Sequence, residues 1–265
     1  MKIPRFWRRH EGDIRKPDGG ELHVFAWGWS ESSPGDADVR ARERFQSMEQ
    51  RVSQGLELPK GYGYGSRPVR EQILREIQGR GGDVDALLTR NAYGSVVLNA
   101  ARAMFIDVDA PGGSAGHGLD QIRRAASSAG LGGIRVYRTA AGFRLLATDR
   151  EFAPSSSEAE SAMRAVGADP SFVQLCKVQD SFRARLTPKP WRVGHHAPPG
   201  DYPREQGWQQ SAFDEWLRQY ERAAASKATC QFVETIGSAS VHPDVAPILA
   251  LHDEQTRVDS SLPLA

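Results

Sequence analysis

Cysteine is scarce in this chain: Cys176 and Cys230 are the only two among 265 residues. Two thiols build neither a disulfide framework nor a four-cysteine zinc site, so they read as reduced thiols. No apolar run approaches the roughly 20 residues that a membrane span needs. The opening residues, Met1 to Arg9, are basic but lack the apolar stretch of a secretory leader. A globular, cytoplasmic protein without a membrane partner is the expectation. Charge of one sign is also missing, because 34 Lys and Arg stand against 33 Asp and Glu for a net +1. That excludes a uniformly basic nucleic-acid coat but leaves room for a local basic groove. Neither G-x-G-x-x-G nor the P-loop G-x-x-x-x-G-K-[ST] occurs, so dinucleotide binding and Walker-type hydrolysis lose their usual support.

What is present is uneven in charge. Between Ser181 and Arg192 lie Arg183, Arg185, Lys189 and Arg192 with no acid, whereas 231–265 holds five acids against Arg257 alone. Hydrophobic patterning predicts a strand at Leu22–Trp27 and a helix from Asp38 to about Gly55. A glycine-rich loop at 61–65 precedes a predicted helix from about Ser66, with Pro68 in its first turn and Val69, Ile73, Leu74 and Ile77 on one face, ending at Gly81–Gly82. Further strands are expected at Ser95–Asn99, Ala103–Asp109, Gly133–Arg138, Phe143–Ala147 and Phe182–Leu186, with a four-residue turn joining the third and fourth of these. A loop at Ala110–Gly113 leads to a helix from about Leu119 to Gly130. Ser155 and Glu158 form a capping-box signature for a helix ending at Gly167, Asp169–Pro170 opens another, and Ser211 caps one carrying Phe213, Trp216, Leu217 and Tyr220 on one face. Hairpins among mixed elements imply an α+β fold with a mixed or antiparallel sheet core and flanking helices. The expected organisation is one domain over 1–230, its catalytic-like core at about 90–195, and an acidic extension over 231–265 that is partly loose.

Three segments could carry chemistry. In Phe105-Ile106-Asp107-Val108-Asp109, strand alternation puts Asp107 and Asp109 on one face about 7 Å apart. Two such carboxylates repel unless a cation lies between them, and Mg²⁺ or Mn²⁺ answers that need. Water-exposed acids at a strand end are the ordinary alternative. The turn from Arg138 through Thr139 and Gly142 to Arg144 offers amides and flanking guanidinium groups to a triphosphate, or is a structural hairpin with exposed arginines. Arg183 and Arg185 share a strand face, Lys189 and Arg192 follow, and Phe182 and Trp191 interleave; this suits a polyanion or a solvated edge strand. Arg90 to Gly94 reads as a turn. His195 and His196 point opposite ways in an extended chain and make a poor metal pair.

The order of these segments resembles the catalytic core of the archaeo-eukaryotic primase superfamily, which includes primase small subunits, primase-polymerases and the polymerase domains of bacterial end-joining ligases. Met104 to Asp109 is similar to its apolar strand ending in Asp-x-Asp, and Ala110-Pro111-Gly112-Gly113 to the continuation seen in end-joining polymerase domains. Thr139-Ala140-Ala141-Gly142-Phe143-Arg144-Leu145-Leu146 looks like the second motif, with Arg144 standing where the family has histidine. Phe182-Arg183 and Lys189 resemble the phenylalanine-arginine strand and lysine of primase-polymerases. Where a third acid belongs, this chain has Val173-Gln174-Leu175. The likeness covers Met104 to Arg192.

The resemblance implies a protein that binds nucleoside triphosphate and DNA or RNA, with metal-dependent nucleotidyl transfer at Asp107 and Asp109 and with Arg138, Thr139, Gly142, Arg144, Arg183, Arg185 and Lys189 about the phosphates. Two alternatives stay open. One is a catalytically degenerate nucleic-acid-binding protein, since arginine keeps its charge against phosphate. The other is a haloacid-dehalogenase-type phosphatase, whose nucleophile strand Phe-Ile-Asp-Val-Asp also resembles.

Overall fold

In a computed structural model, residues 1–58, 67–110 and 115–265 are described, side chains of 115–117 excepted. The expected loops at 61–65 and 111–113 lie outside the described residues. The chain divides into two compact units, one of Ile3–Arg70 and one of Glu71–Ala265 with Met1–Lys2.

The smaller unit is a hairpin carrying a helix. Strand β1 (Phe6–Arg15) pairs antiparallel with β2 (Glu21–Ser30), and helix α1 (Pro34–Ser53) covers them. Ser33 caps the helix by accepting from the Asp36 amide, and Pro34 sits in the first turn. A Cβ on Gly28 would meet the Ala37 carbonyl at 2.0 Å, so glycine there lets strand and helix touch beside the buried Ala37 and Ala41. Strand β1 had no expected counterpart. Only Trp7 and Ile14 of its ten residues are buried, too few to set an alternating pattern.

The larger unit holds two four-stranded sheets. One has the order β3 (Gln72–Gln78), β4 (Val84–Arg90), β5 (Val96–Ala100), β9 (Phe182–Arg185). The other has the order β10 (Gln231–Gly237), β7 (Gly133–Arg138), β8 (Gly142–Ala147), β6 (Phe105–Asp109). Every strand pair in both is antiparallel. Helices α2 (Ala115–Ser128), α3 (Ser157–Ala165), α4 (Pro170–Gln179), α5 (Gly207–Ala224) and α6 (Ala246–Thr256) complete the α+β fold. One core unites the sheets, with Leu98, Phe105, Ile106, Ile134, Leu145, Leu146 and Phe182 fully buried. Among the described residues no helix is long and apolar enough to cross a membrane.

Four expectations are corrected. The segment after Arg70 is strand β3, not a helix. Its pairing with β4 is shifted between Ile73 and Arg75 and again between Ile77 and Gln78, and such bulges break the two-residue period and leave apolar spacings that mimic a helix. Ser156, not Ser155, caps α3 by accepting from the Ala159 amide. Helix α5 begins at Gly207, and Ser211 lies inside it, its hydroxyl donating to the Gly207 carbonyl. The stretch 231–265 is built into the larger unit: β10 pairs with β7, Ile248 and His252 of α6 are buried, and Leu264 bridges to Ala228. Its acids are spread thinly among apolar residues that the sheet needs as cover, so charge content was a poor guide to order there.

Candidate functional site

The register of the second sheet sets one row of side chains across it. Phe232, Tyr137, Arg144 and Asp107 are consecutive cross-strand partners on β10, β7, β8 and β6, and therefore share a face. Arg144 is 1% exposed. Its Nε donates to Asp107 Oδ1 at 2.7 Å and its Nη2 to Oδ2 at 3.0 Å, while Nη1 donates to the Arg185 carbonyl at 2.7 Å. This last bond ties the two sheets together where β6 meets β9. Burial opposes charge on both side chains of the pair. The Arg144 guanidinium nevertheless holds the Asp107 carboxyl below the usual carboxylate range, and Asp107 raises Arg144.

Behind Arg144 lies a buried polar chain. Cys230 Sγ is 3.7 Å from Arg144 Nη1 and 3.9 Å from His252 Nε2, and His252 Nδ1 lies 2.9 Å from Asp253 Oδ1. Arg135 donates to Asp253 at 2.7 Å and to the Tyr137 hydroxyl at 2.9 Å. Burial pushes the Cys230 thiol up to about 11 and His252 down to about 4. A thiol, an imidazole and a carboxylate in this order resemble a nucleophilic relay, but Cys230 and His252 are both wholly inaccessible, and a nucleophile must reach its substrate. The chain is internal scaffolding for Arg144.

The sequence-predicted residues separate into those the fold brings together and those it does not. Arg185 is half-buried, and burial, then Arg144, lowers it. Lys189 is lowered by burial and by Arg185 and Arg192, with Asp109 and Asp107 acting the other way. Arg185 and Lys189 thus both feel the charges of Arg192 and Asp107, and Lys189 also that of Asp109. Among the described residues, no carboxylate forms an ion pair with the side chains of Arg185, Lys189 or Arg192.

Arg183 is elsewhere. It donates to Glu71 Oε1 and to Asn99 Oδ1, each at 2.6 Å, in a network closed by Thr89, which donates to Glu71 and accepts from Asn99. All four side chains are buried. Arg183 shares a strand face with Arg185 as expected, but its charge is consumed inside the protein. Arg138 is opposite Phe143 in register and Arg144 opposite Tyr137, so the two arginines project from opposite faces of the sheet and do not flank one site. The Arg138 guanidinium lies 5.0 Å from the Phe143 ring centroid. Thr139 and Gly142 hold the hairpin: the Gly142 amide donates to Thr139 Oγ1 at 3.1 Å and the Thr139 amide to the Gly142 carbonyl at 2.9 Å. A Cβ on Gly142 would come within 2.1 Å of the Val108 carbonyl. Glycine is needed there for close packing of β8 on β6, and these turn amides are occupied rather than turned toward a phosphate.

Asp107 and Asp109 share a face of β6, Asp109 exposed at its end. As a metal site the donor set is short. Both Asp107 oxygens accept from Arg144, and among the described residues no group of three or more His, Cys, Asp or Glu is placed to hold a metal ion. His195 stacks on Trp216 at 5.5 Å and has a structural role beside α5. Sequence reasoning missed Glu71, Asn99, Cys230, His252 and Asp253; His252 and Asp253 are neighbours in sequence, but Arg183, Arg144 and Arg135, which this set meets, lie far from it along the chain. No family model matches the chain, and no curated protein or solved structure matches it either.

Proposed function

We propose that Arg185, Lys189 and Arg192, beside Asp107 and Asp109, bind the phosphates of a nucleoside triphosphate and of a DNA or RNA strand, as in the primase-polymerase-like proteins the sequence resembles. One observation carries this reading: Arg185 and Lys189 are lowered by burial and by neighbouring cations, Arg192 acting on both, with no carboxylate paired to the three side chains among the described residues. Like charges gathered at a partly buried place are costly unless an anion joins them. Arg144 supports the cluster indirectly, by neutralising Asp107 and fixing the Arg185 backbone.

Binding is favoured over nucleotidyl transfer by the engagement of Asp107 with Arg144. Were Mg²⁺ or Mn²⁺ to bind, Asp107 and Asp109 would hold it, and it would neutralise charge on the transferred phosphate. The phosphatase alternative has less support. It wants a parallel sheet around the aspartate, whereas both neighbours of this site, β8 and β9, run antiparallel to their partners.

Calorimetric titration with nucleoside triphosphate, with and without Mn²⁺, tests the reading. Arg185→Ala with Lys189→Ala should weaken binding by roughly tenfold or more for each charge-assisted bond lost. Equal affinity in parent and double variant, or no binding by either, overturns it. Incorporation of labelled nucleotide into a primed strand would establish transfer in addition to binding.

A further inference from the structure

Next to the phosphate cluster two aromatic rings stand out into solvent. Trp191 is 52% and Tyr93 48% exposed. They meet edge to face, their centroids 5.2 Å apart and their planes at 89°. Lys189 Nζ lies 5.3 Å from the Trp191 centroid, and Arg192 is the next residue along.

Exposed aromatic side chains on flexible loops mean little, but both of these are mounted on braced backbone. Trp191 lies in a 3-10 turn, Pro190–Val193, entered through Pro188 and Pro190. The Pro188 carbonyl accepts from Ser95 Oγ at 2.8 Å and from the Tyr220 hydroxyl at 2.6 Å, and Thr187 Oγ1 accepts from the Val96 amide at 2.9 Å. Tyr93 lies in the turn between β4 and β5. There Asn91 Oδ1 accepts from the Tyr93 and Ser95 amides, each at 3.0 Å, and Arg90 donates to the Gly94 carbonyl at 2.8 Å. Gly94 has φ +82°, and a Cβ there would strike the Trp216 ring at 2.2 Å, so this turn too is locked onto α5. The bonds from Ser95 and Val96 to 187–188 join the two turns, fixing the rings relative to each other before any ligand arrives.

We infer that Trp191 and Tyr93 form a base-stacking platform and that the strand bound here is single. The inference rests on the phosphate-binding reading above and adds to it the state of the nucleic acid. In a duplex the base faces are covered by their neighbours; only an unpaired base offers its π-face to an aromatic ring. Cations directly beside the rings, Lys189 and Arg192, match the alternation of base and phosphate along a strand. A protein partner would gain nothing from three cations without an ion-pair partner among the described residues unless it were itself polyanionic.

The test compares a single-stranded oligonucleotide, its duplex and an abasic strand of equal length, with parent protein, Trp191→Ala, Tyr93→Ala and Trp191→Phe. Both rings are exposed, so the variants should keep the parent melting temperature. The parent should prefer the single strand over duplex and abasic strand by roughly tenfold or more. Trp191→Ala should abolish that preference while leaving the salt dependence intact, and Trp191→Phe should largely restore it. Equal binding of all three nucleic acids by the parent, or a preference insensitive to Trp191→Ala, overturns the platform while leaving the phosphate site standing. Loss of all binding, triphosphate included, overturns both.

Discussion

Asp107 and Arg144, 37 residues apart in sequence, meet through two hydrogen bonds of 2.7 and 3.0 Å across adjacent strands. The pair is where the fold and the candidate site join, because the remaining Arg144 nitrogen ties β8 to the backbone of β9 at Arg185. Asp107→Asn should leave a buried guanidinium without its counter-charge and destabilise the protein by about 3–5 kcal/mol. The carboxyl is depressed in the folded state, so the unfolded chain takes up its proton first. The contribution of the pair is present above the unfolded value of about 3.9 and is lost as pH falls through the folded value. Urea unfolding from pH 2 to 7 should show less acid destabilisation in Asp107→Asn than in the parent.

Histidine 252 acts in a higher window. Burial lowers it from 6.5 to about 4, despite the carboxylate of Asp253 at Nδ1 and the charge of Asp107, and Arg144 adds to the lowering. Between these values the unfolded chain binds a proton that the folded protein does not. Stability should fall by about 1.4 kcal/mol per pH unit as pH drops through this window. His252→Gln should remove that slope, which denaturant midpoints at pH 4 to 7 would measure.

Arg183 and Arg185 share a strand face yet should separate in effect. Arg183→Met leaves Glu71 buried without its cation and should cost about 3–5 kcal/mol in stability, with the salt dependence of nucleic-acid binding unchanged in protein that remains folded. Arg185→Ala should do the reverse. Thermal unfolding and filter binding on both variants check this.

The acidic end is predicted to be indispensable. A chain ending at Thr229 loses β10 from the edge of its sheet and the α6 side chain that packs on Phe105 and Tyr137. It should lose cooperative thermal unfolding, and retention of the parent transition would show that 231–265 is dispensable.

Most strands with plain alternation or continuous burial were legible from sequence, although β4 (Val84–Arg90), buried at its centre, was not. β6, β7, β8 and β9 follow their apolar runs closely, and the Thr139–Gly142 turn was marked by its glycine. β3 was hidden by its bulges, β1 by having so few buried residues, and β10 by the weak pattern of an edge strand with Phe232 and Val233 exposed. Within the site, Asp107 and Arg144 were legible as chemistry but not as partners of each other, because only the register of β6 on β8 makes them so. Arg183 could not be told from Arg185, since the difference lies in Glu71, more than a hundred residues away.

Binding of a single-stranded oligonucleotide across a salt series tests the central claim most directly. If Arg185, Lys189 and Arg192 contact phosphates, log K should fall against log salt with a slope of roughly −2, and Arg185→Ala with Lys189→Ala should flatten it by about 1 to 1.5. A slope unchanged in the double variant, or no binding by the parent at low salt, would contradict the account.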